Sequence, residues 1–284
     1  MLRIVVAAGL LGSFLAEPTS AFSQSREVSL SCGADQVVVG LEGYKGWWFD
    51  GLRAQCVSVR DDGAWMNIME TSANFAGSSG GIGSHNFTLT CPANFAVNRI
   101  SGIRGDYVNT INITCTPLIA AGHVGGSSQD QIMDAEKPGS VAFGPVGGCV
   151  VGDAPFTGIV VSAVVWIDYI LRADCGYPVP YSLKSFTAPS LLVVGGGTIS
   201  VTLTMNKPAN VIGGVPITIT SGVPSVIASQ TLTVGIGRTS QTFSVPTHAV
   251  SASTPVQLTA RFGAQSIAAT VMLIPPIQRP SGFK

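Results

Sequence analysis

The sequence predicts an all-β fold in two domains, and three features support this prediction. Only 11% of the residues are charged, whereas 34 of the 284 are glycine, a balance typical of β-rich chains with many turns. Short stretches in which apolar and polar residues alternate indicate half-buried strands. All six cysteines lie in the first two thirds of the chain, which separates a cysteine-containing first domain from a cysteine-free second domain.

The charge balance restricts the partners that this chain can attract. Its formal net charge is +0, and no basic stripe runs along the sequence. Nucleic-acid binding requires a clustered basic surface, and capture by an anionic membrane likewise requires positive charge on the protein. We therefore expect neither nucleic acid nor a membrane surface as the partner.

The first 23 residues predict a secretory signal peptide. Arg3 is followed by an apolar stretch from Ile4 to Ala16, and Ala21-Phe22-Ser23 offers small residues for cleavage before Gln24. The stretch is short for a bilayer span, and no later run reaches about 18 apolar residues. We expect a secreted protein, extracellular or periplasmic, with no membrane span after signal removal; a retained anchor is the alternative.

The six cysteines indicate a threefold repeat. They form three pairs whose members are 24, 24 and 26 residues apart: Cys32 with Cys56, Cys91 with Cys115, and Cys149 with Cys175. A fixed period of this kind indicates an internal repeat. In an exported chain the repeat favours three local disulfides, although spacing alone leaves other pairings open.

Each repeat unit is predicted to contain a β-hairpin. In the first unit the alternating run from Val37 to Leu41 is the outgoing strand, and residues 43–46 are the turn. A turn centred near Tyr44 would place Cys32 opposite Cys56, close enough for a disulfide. Three units of about four strands each predict a threefold β-prism, because a propeller would need more blades.

A short motif in the first unit resembles a known sugar-binding hairpin. The stretch from Val38 to Asp50 contains a Gly-x-x-x-Asp string with two tryptophans inside it, and it resembles the hairpin of jacalin-type lectins. The cysteine-framed threefold layout is also similar to the vitelline membrane outer layer protein family, which shares the β-prism. The resemblance covers about residues 26–177, which implies a lectin-like domain at 24–177.

The resemblance implies which residues would contact a sugar. In the first unit they are Gly46, Trp47, Trp48 and Asp50, with the Asp50 carboxylate and the backbone amides of the two tryptophans bonding sugar hydroxyls. Bonds to an ionised carboxylate are among the stronger hydrogen bonds. The alternative is that this aspartate caps its own turn, and that one of two adjacent strand tryptophans points into the core.

The other two units carry weaker versions of the motif. The corresponding residues are Tyr107 and Asn109 in the second unit, and Trp166 and Asp168 in the third. The lectin family also uses a second loop that contains Gly-Gly. Gly80-Gly81 is the candidate for this loop, although the sequence does not assign it to a hairpin.

The cysteine-free part of the chain predicts a second β domain. After the proline-rich joint from Tyr177 to Tyr181, short alternating runs follow at regular intervals: 198–205, 215–220, 230–234, 239–245, 256–262 and 266–274. The strings from Gly213 to Ile219 and from Thr242 to Val245 resemble bacterial surface Ig-like modules. We expect an Ig-like β-sandwich spacer at 178–275 and a disordered tail at 276–284.

No catalytic set emerges from the sequence. The three histidines, His85, His123 and His248, are too far apart for a helical metal pair. Residues 77–81 match Gly-x-Ser-x-Gly around Ser79, but that motif needs a strand-to-helix elbow. We expect a non-enzymatic protein without cofactor or metal.

The expected partners are glycans, bound by a lectin-like domain. The alternative function is a structural or adhesive cell-surface protein that binds a protein partner without a defined sugar site. A hydrolase that uses Ser79 is a third and weaker alternative.

Overall fold

The computed structural model is all-β in the part of the chain that it describes. The described residues are 25–66, 69–119, 122–146, 154–189, 192–211 and 213–277. They contain 20 strands and no α-helix, which confirms that the protein is all-β, as predicted. The predicted signal peptide and most of the predicted tail lie outside these ranges. None of the described residues belongs to a helix that is long and apolar enough to cross a membrane.

Twelve strands form the cysteine-containing part. They are β1 (Arg26–Ser31), β2 (Gln36–Lys45), β3 (Phe49–Ser58), β4 (Glu70–Thr71), β5 (Ala76–Gly77), β6 (His85–Thr90), β7 (Phe95–Arg104), β8 (Val108–Pro117), β9 (Gln129–Asp134), β10 (Val141–Val146), β11 (Phe156–Ala163) and β12 (Ile167–Cys175). Three hairpins, β2–β3, β7–β8 and β11–β12, each belong to a separate sheet. Each hairpin belongs to one of the three predicted repeat units.

Two of the three sheets share one strand order. They run β4-β3-β2-β6, with β5 also on β3, and β9-β8-β7-β10. In each, the chain leaves the hairpin, adds strands beside its second strand and returns beside its first. The third sheet, β1-β11-β12, is completed by the first described strand, in which Arg26 pairs with Ala163. The N-terminal strand thus takes the place that β6 and β10 take in the other sheets.

The three sheets enclose one hydrophobic core. Equivalent positions of the three units supply buried side chains to it: Leu41, Ile100 and Ile159 from the outgoing strands, and Leu52, Ile111 and Ile170 from the return strands. Each such side chain stabilises the fold by about 1.5–3 kcal/mol through burial. The sequence repeat therefore corresponds to a repeat in the packing.

The first hairpin turns later than its glycines suggest. The turn is at 46–48, because β2 continues to Lys45 and β3 begins at Phe49. The predicted turn at 43–46 was wrong. Gly43 lies inside β2, where an added Cβ would be 2.0 Å from the backbone oxygen of Gly51. This glycine permits a close approach of two strands and does not form a turn.

The two disulfides that the structure describes join the predicted pairs. Cys32 bonds to Cys56 and Cys91 bonds to Cys115, each with a Cα–Cα distance of 5.6 Å. The predicted reason was wrong, since Val38 is the residue opposite Cys56 in the hairpin. Each disulfide ties the segment before a hairpin to the return strand. Cys175 is also disulfide-bonded, and its predicted partner, residue 149, lies outside the described residues.

Eight further strands form the cysteine-free part. They are β13 (Leu183–Thr187), β14 (Val193–Val194), β15 (Thr198–Met205), β16 (Val215–Ser221), β17 (Gln230–Val234), β18 (Ser240–Pro246), β19 (Thr254–Phe262) and β20 (Gln265–Ile274). Two sheets, β13-β15-β18 and β14-β20-β19-β16-β17, share a second core. All six predicted strands are confirmed to within two residues.

Side chains fix the joint between the two parts. The Asp35 carboxylate lies 3.1 Å from the Lys207 ammonium and accepts a hydrogen bond of 3.1 Å from the Val179 amide. The same ammonium lies 4.2 Å from the centre of the Tyr181 ring, and Tyr181 is buried. Burial lowers the pKa of Lys207, and Asp35 opposes that shift. The proline-rich joint is therefore a packed contact.

Candidate functional site

The three hairpin turns meet at one end of the cysteine-containing part. Trp48, Tyr107 and Trp166 occupy equivalent positions, each directly before the return strand of its hairpin. Their ring centres lie 4.9 to 5.4 Å apart. Each such pair contributes about 0.5–1.5 kcal/mol beyond burial. These three predicted sugar-contact residues therefore pack on one another and join the turns.

A cleft of about 540 Å³ lies between the first turn and the glycine-rich loop at 78–84. It is lined by all four residues predicted in the first unit, Gly46, Trp47, Trp48 and Asp50, and by Trp166 of the third unit. The loop contains the Gly80-Gly81 pair that the sequence could not assign to a hairpin. Because β6 pairs with β2, the loop that precedes β6 lies over the first turn.

A relay of hydrogen bonds orients the Asp50 carboxylate at the base of the cleft. The Ser84 hydroxyl donates to Asp50 Oδ2 at 2.6 Å, and the Gly81 amide donates to Ser84 Oγ at 2.9 Å. Asp50 is only 6% exposed. Since an ionised carboxylate offers about four acceptor positions, it can accept further donors. Sequence reasoning missed Ser84, whose only signal was its place at the end of the glycine-rich loop.

The first turn presents backbone donors beside this carboxylate. The Gly46 amide donates to the Trp48 oxygen at 2.9 Å, and the turn oxygens of Gly46 and Trp47 accept from the amides of Glu136 and Lys137. Within the described residues, no protein acceptor receives a hydrogen bond from the amides of Trp47 or Trp48. These two amides are the donors that the lectin resemblance assigns to sugar binding.

Trp47 stands out from the turn as a wall of the cleft. It is 66% exposed, whereas its neighbour Trp48 is half-buried. The expectation that the two point to opposite faces of a strand was wrong, because both lie in the turn. The exposed indole offers a flat apolar surface, which can cover the apolar face of a pyranose ring.

The second hairpin uses its equivalent polar side chain for its own structure. Asn109 Oδ1 accepts from the Gly105 amide at 2.7 Å, and Asn109 Nδ2 donates to the Lys137 oxygen at 2.7 Å. The side chain is buried, with 2% exposed. The alternative in which the polar side chain caps its own turn therefore applies to Asn109. The chain segment that follows β9 packs over this turn.

Replacing Asn109 with alanine is expected to lower the free energy of unfolding by about 1–3 kcal/mol, because it removes two side-chain hydrogen bonds, each worth about 0.5–1.5 kcal/mol. Denaturant unfolding measures this loss. Asn109→Asp is the matched control: it keeps the acceptor for Gly105 and places a carboxylate against the Lys137 oxygen. An alanine variant as stable as the parent would contradict the assigned role.

The third hairpin places its aspartate outside the cleft of the first unit. Asp168 is partly exposed and accepts a long hydrogen bond of 3.4 Å from the Ser162 hydroxyl. It does not line the cleft of the first unit, although Val165 and Trp166 from the same turn do. Asp168 is therefore a natural comparison for Asp50.

Among the described residues, no group of three or more His, Cys, Asp or Glu side chains is placed to hold a metal. Ser79 lies in the glycine-rich loop, which leads into strand β6. His85 Nε2 lies 3.8 Å from a Glu136 oxygen at the exposed edge of the cleft.

Comparisons with known proteins add little to this geometry. No protein-family model matches the chain, and no curated protein matches it. Among solved structures, the chain is similar to Drosophila OTK, extracellular domains 3–5, at 8% identity over 89% of this chain and 93% of that one. The TM-score is 0.22, so this similarity carries no argument about fold or function.

Proposed function

We propose that this protein binds carbohydrate in the cleft between the first hairpin turn and the glycine-rich loop. The observation that carries the proposal is the buried Asp50 carboxylate, oriented by Ser84 near an exposed indole and two amides that have no protein acceptor among the described residues. A pyranose presents hydroxyl donors, hydroxyl acceptors and an apolar face on one small ring. The carboxylate accepts, the amides donate, and the indole of Trp47 covers the apolar face.

The fold that we propose for the cysteine-containing part is a jacalin-like β-prism. Its support is the shared core, to which equivalent residues of three hairpin-containing sheets contribute. We propose an Ig-like sandwich for the cysteine-free part, supported by its two sheets of three and five strands around one core. Disulfides persist mainly in oxidising compartments, which supports secretion.

The second part would act as a spacer that holds the sugar site at a fixed angle. The ion pair of Asp35 with Lys207 and the buried ring of Tyr181 support a rigid joint. A rigid spacer limits the orientations of the cleft. Rigid presentation favours avidity when several copies bind one surface, because the sites are already aligned.

An Asp50→Asn variant of the full chain is expected to bind the preferred glycan about 10- to 100-fold more weakly, because charge-assisted hydrogen bonds to the carboxylate are lost. Asparagine has nearly the same shape and can still accept from Ser84. A glycan array identifies the sugar class, and titration with the free sugar measures the affinity.

Asp168→Asn is the matched control for this experiment. It makes the same exchange at the equivalent position of the third hairpin, outside the cleft, so glycan binding should not change. Equal loss in both variants, or no loss in Asp50→Asn, would place sugar binding elsewhere.

One observation favours a second candidate, a structural or adhesive protein with a protein partner. Of the three equivalent side chains, Asp50, Asn109 and Asp168, only Asp50 lines this cleft. If the full chain binds no glycan even at multivalent display, this second candidate replaces the lectin proposal. If free monosaccharide competes for binding, the second candidate is excluded.

A further inference from the structure

Three exposed apolar side chains surround the mouth of the cleft. Ile82 is fully exposed at the tip of the glycine-rich loop, Trp47 is 66% exposed and Val165 is 46% exposed. All three line the same cleft, although they come from three different segments. Scattered exposed apolar residues are ordinary, but a group around one cleft indicates a binding surface.

The glycine-rich loop holds Ile82 away from the protein. Gly80 and Gly83 have φ values of +82° and +89°, a region that other residues rarely adopt. The Ser84 amide donates to the Gly81 oxygen at 3.1 Å and closes the loop into a tight turn. The apex of this turn places an isoleucine in solvent beside the cleft.

The base and the mouth of the cleft therefore differ in character. The base holds the Asp50 carboxylate and the Ser84 hydroxyl, which suit sugar hydroxyls. The most exposed side chains around the mouth are the three apolar ones, with Glu136 at one edge. An unsubstituted hexose carries hydroxyls all round its ring, and those at the mouth would lose water without gaining a protein partner.

We propose that the cleft selects a sugar that carries an apolar substituent, such as the methyl group of an acetamido or deoxy sugar, over the unsubstituted hexose. This proposal rests on the proposed sugar-binding function and names the class of sugar. Burying one additional methyl group between Ile82, Trp47 and Val165 is expected to raise affinity about fourfold.

A lipid bilayer is the other apolar partner that exposed isoleucine and tryptophan side chains could meet. The acidic groups of the site argue against it: Asp50 lies at the base and Glu136 at the edge of the cleft. Insertion of this end into a bilayer would bring both carboxylates towards apolar or anionic surroundings, which is unfavourable. A soluble glycan leaves the cleft edge in water.

The test compares matched sugars on the full chain. Titration calorimetry with galactose, 6-deoxygalactose and N-acetylgalactosamine, and with glucose and N-acetylglucosamine, should show the substituted sugar binding about fourfold or more tightly within at least one series. Ile82→Ser should reduce this preference, because it should lower the affinity for the substituted sugar more than the affinity for the parent hexose. Ile236→Ser is the matched control, because Ile236 is also exposed between two glycines but lies in the cysteine-free part.

The possible outcomes separate this inference from the proposed function. Equal binding of parent and substituted sugars in every series would overturn the preference and leave the sugar site intact. Absence of binding to every sugar would overturn both. Cosedimentation with sugar-free phosphatidylcholine vesicles that Ile82→Ser abolishes would assign the apolar mouth to lipid and overturn the inference.

Discussion

Replacing Phe49 with alanine is expected to lower the free energy of unfolding by about 3–5 kcal/mol, since it removes a large buried side chain and leaves a cavity. Phe49 is completely buried at the start of β3, and its ring centre lies 5.0 Å from that of Phe87 in an edge-to-face contact. Its neighbours Trp48 and Asp50 both line the cleft. The same substitution should therefore also weaken the glycan binding that we propose.

Tryptophan fluorescence can measure the loss of stability that Phe49→Ala causes. The four tryptophans lie at positions 47, 48, 65 and 166, all in the cysteine-containing part. A denaturant titration that is monitored by tryptophan fluorescence therefore reports the unfolding of the cysteine-containing part. Phe49→Leu is the control: it keeps most of the apolar volume and should cost less than about 1.5 kcal/mol. Equal stability of the two variants would show that the site repacks around the cavity.

Removing the disulfide between Cys91 and Cys115 is expected to lower stability by about 3.5 kcal/mol, because the unfolded chain regains the freedom of a closed loop. The two residues are separated by 24 positions. The double variant Cys91→Ala with Cys115→Ala leaves little strain, since both side chains are small and buried. Denaturant midpoints of parent and variant, followed by tryptophan fluorescence, measure the difference.

The disulfide between Cys32 and Cys56 provides an internal comparison. It closes a loop of the same sequence separation, so the chain-entropy account predicts a loss of the same size. Two losses that are equal to within about 1 kcal/mol would support that account. A negligible loss for both pairs would contradict it and would indicate that the unfolded chain keeps these segments close together.

Regular strands could be predicted from the sequence because their information is local. In the cysteine-free part, alternation of apolar and polar residues located β15 and β17 to the residue. Successive side chains of a strand point to opposite faces, so a strand with one buried face shows an alternation that can be recognised from the sequence alone. The repeat of the cysteines likewise predicted the two described disulfides, since equivalent units use equivalent pairs.

The turn of the first hairpin could not be predicted in the same way. A glycine such as Gly43 permits either a turn or a close approach between strands, and the sequence alone does not distinguish these two roles. The register of β2 against β3 decides between them, and it places the backbone oxygen of Gly51 against Gly43. Register depends on packing across the whole sheet.

The residues of the candidate site also differ in whether the sequence could predict them. Gly46 to Asp50 could be predicted because the motif is contiguous. Ser84 and Ile82 could not, because they reach the motif only through the pairing of β6 with β2. Glu136 comes from the second repeat unit and also lies outside any local pattern.

The sequence by itself determined the all-β class and the threefold repeat, and it favoured the two cysteine pairs that the structure describes, because these features follow from local alternation and from a fixed period. Only the tertiary structure decided which of the three equivalent polar side chains lines the cleft. Asn109 bonds to its own turn and to the Lys137 oxygen, whereas Asp50 lies against the glycine-rich loop and accepts a hydrogen bond from Ser84. The distance between a turn and the loop beside it is set by the packing of whole sheets, and no short stretch of sequence contains that information.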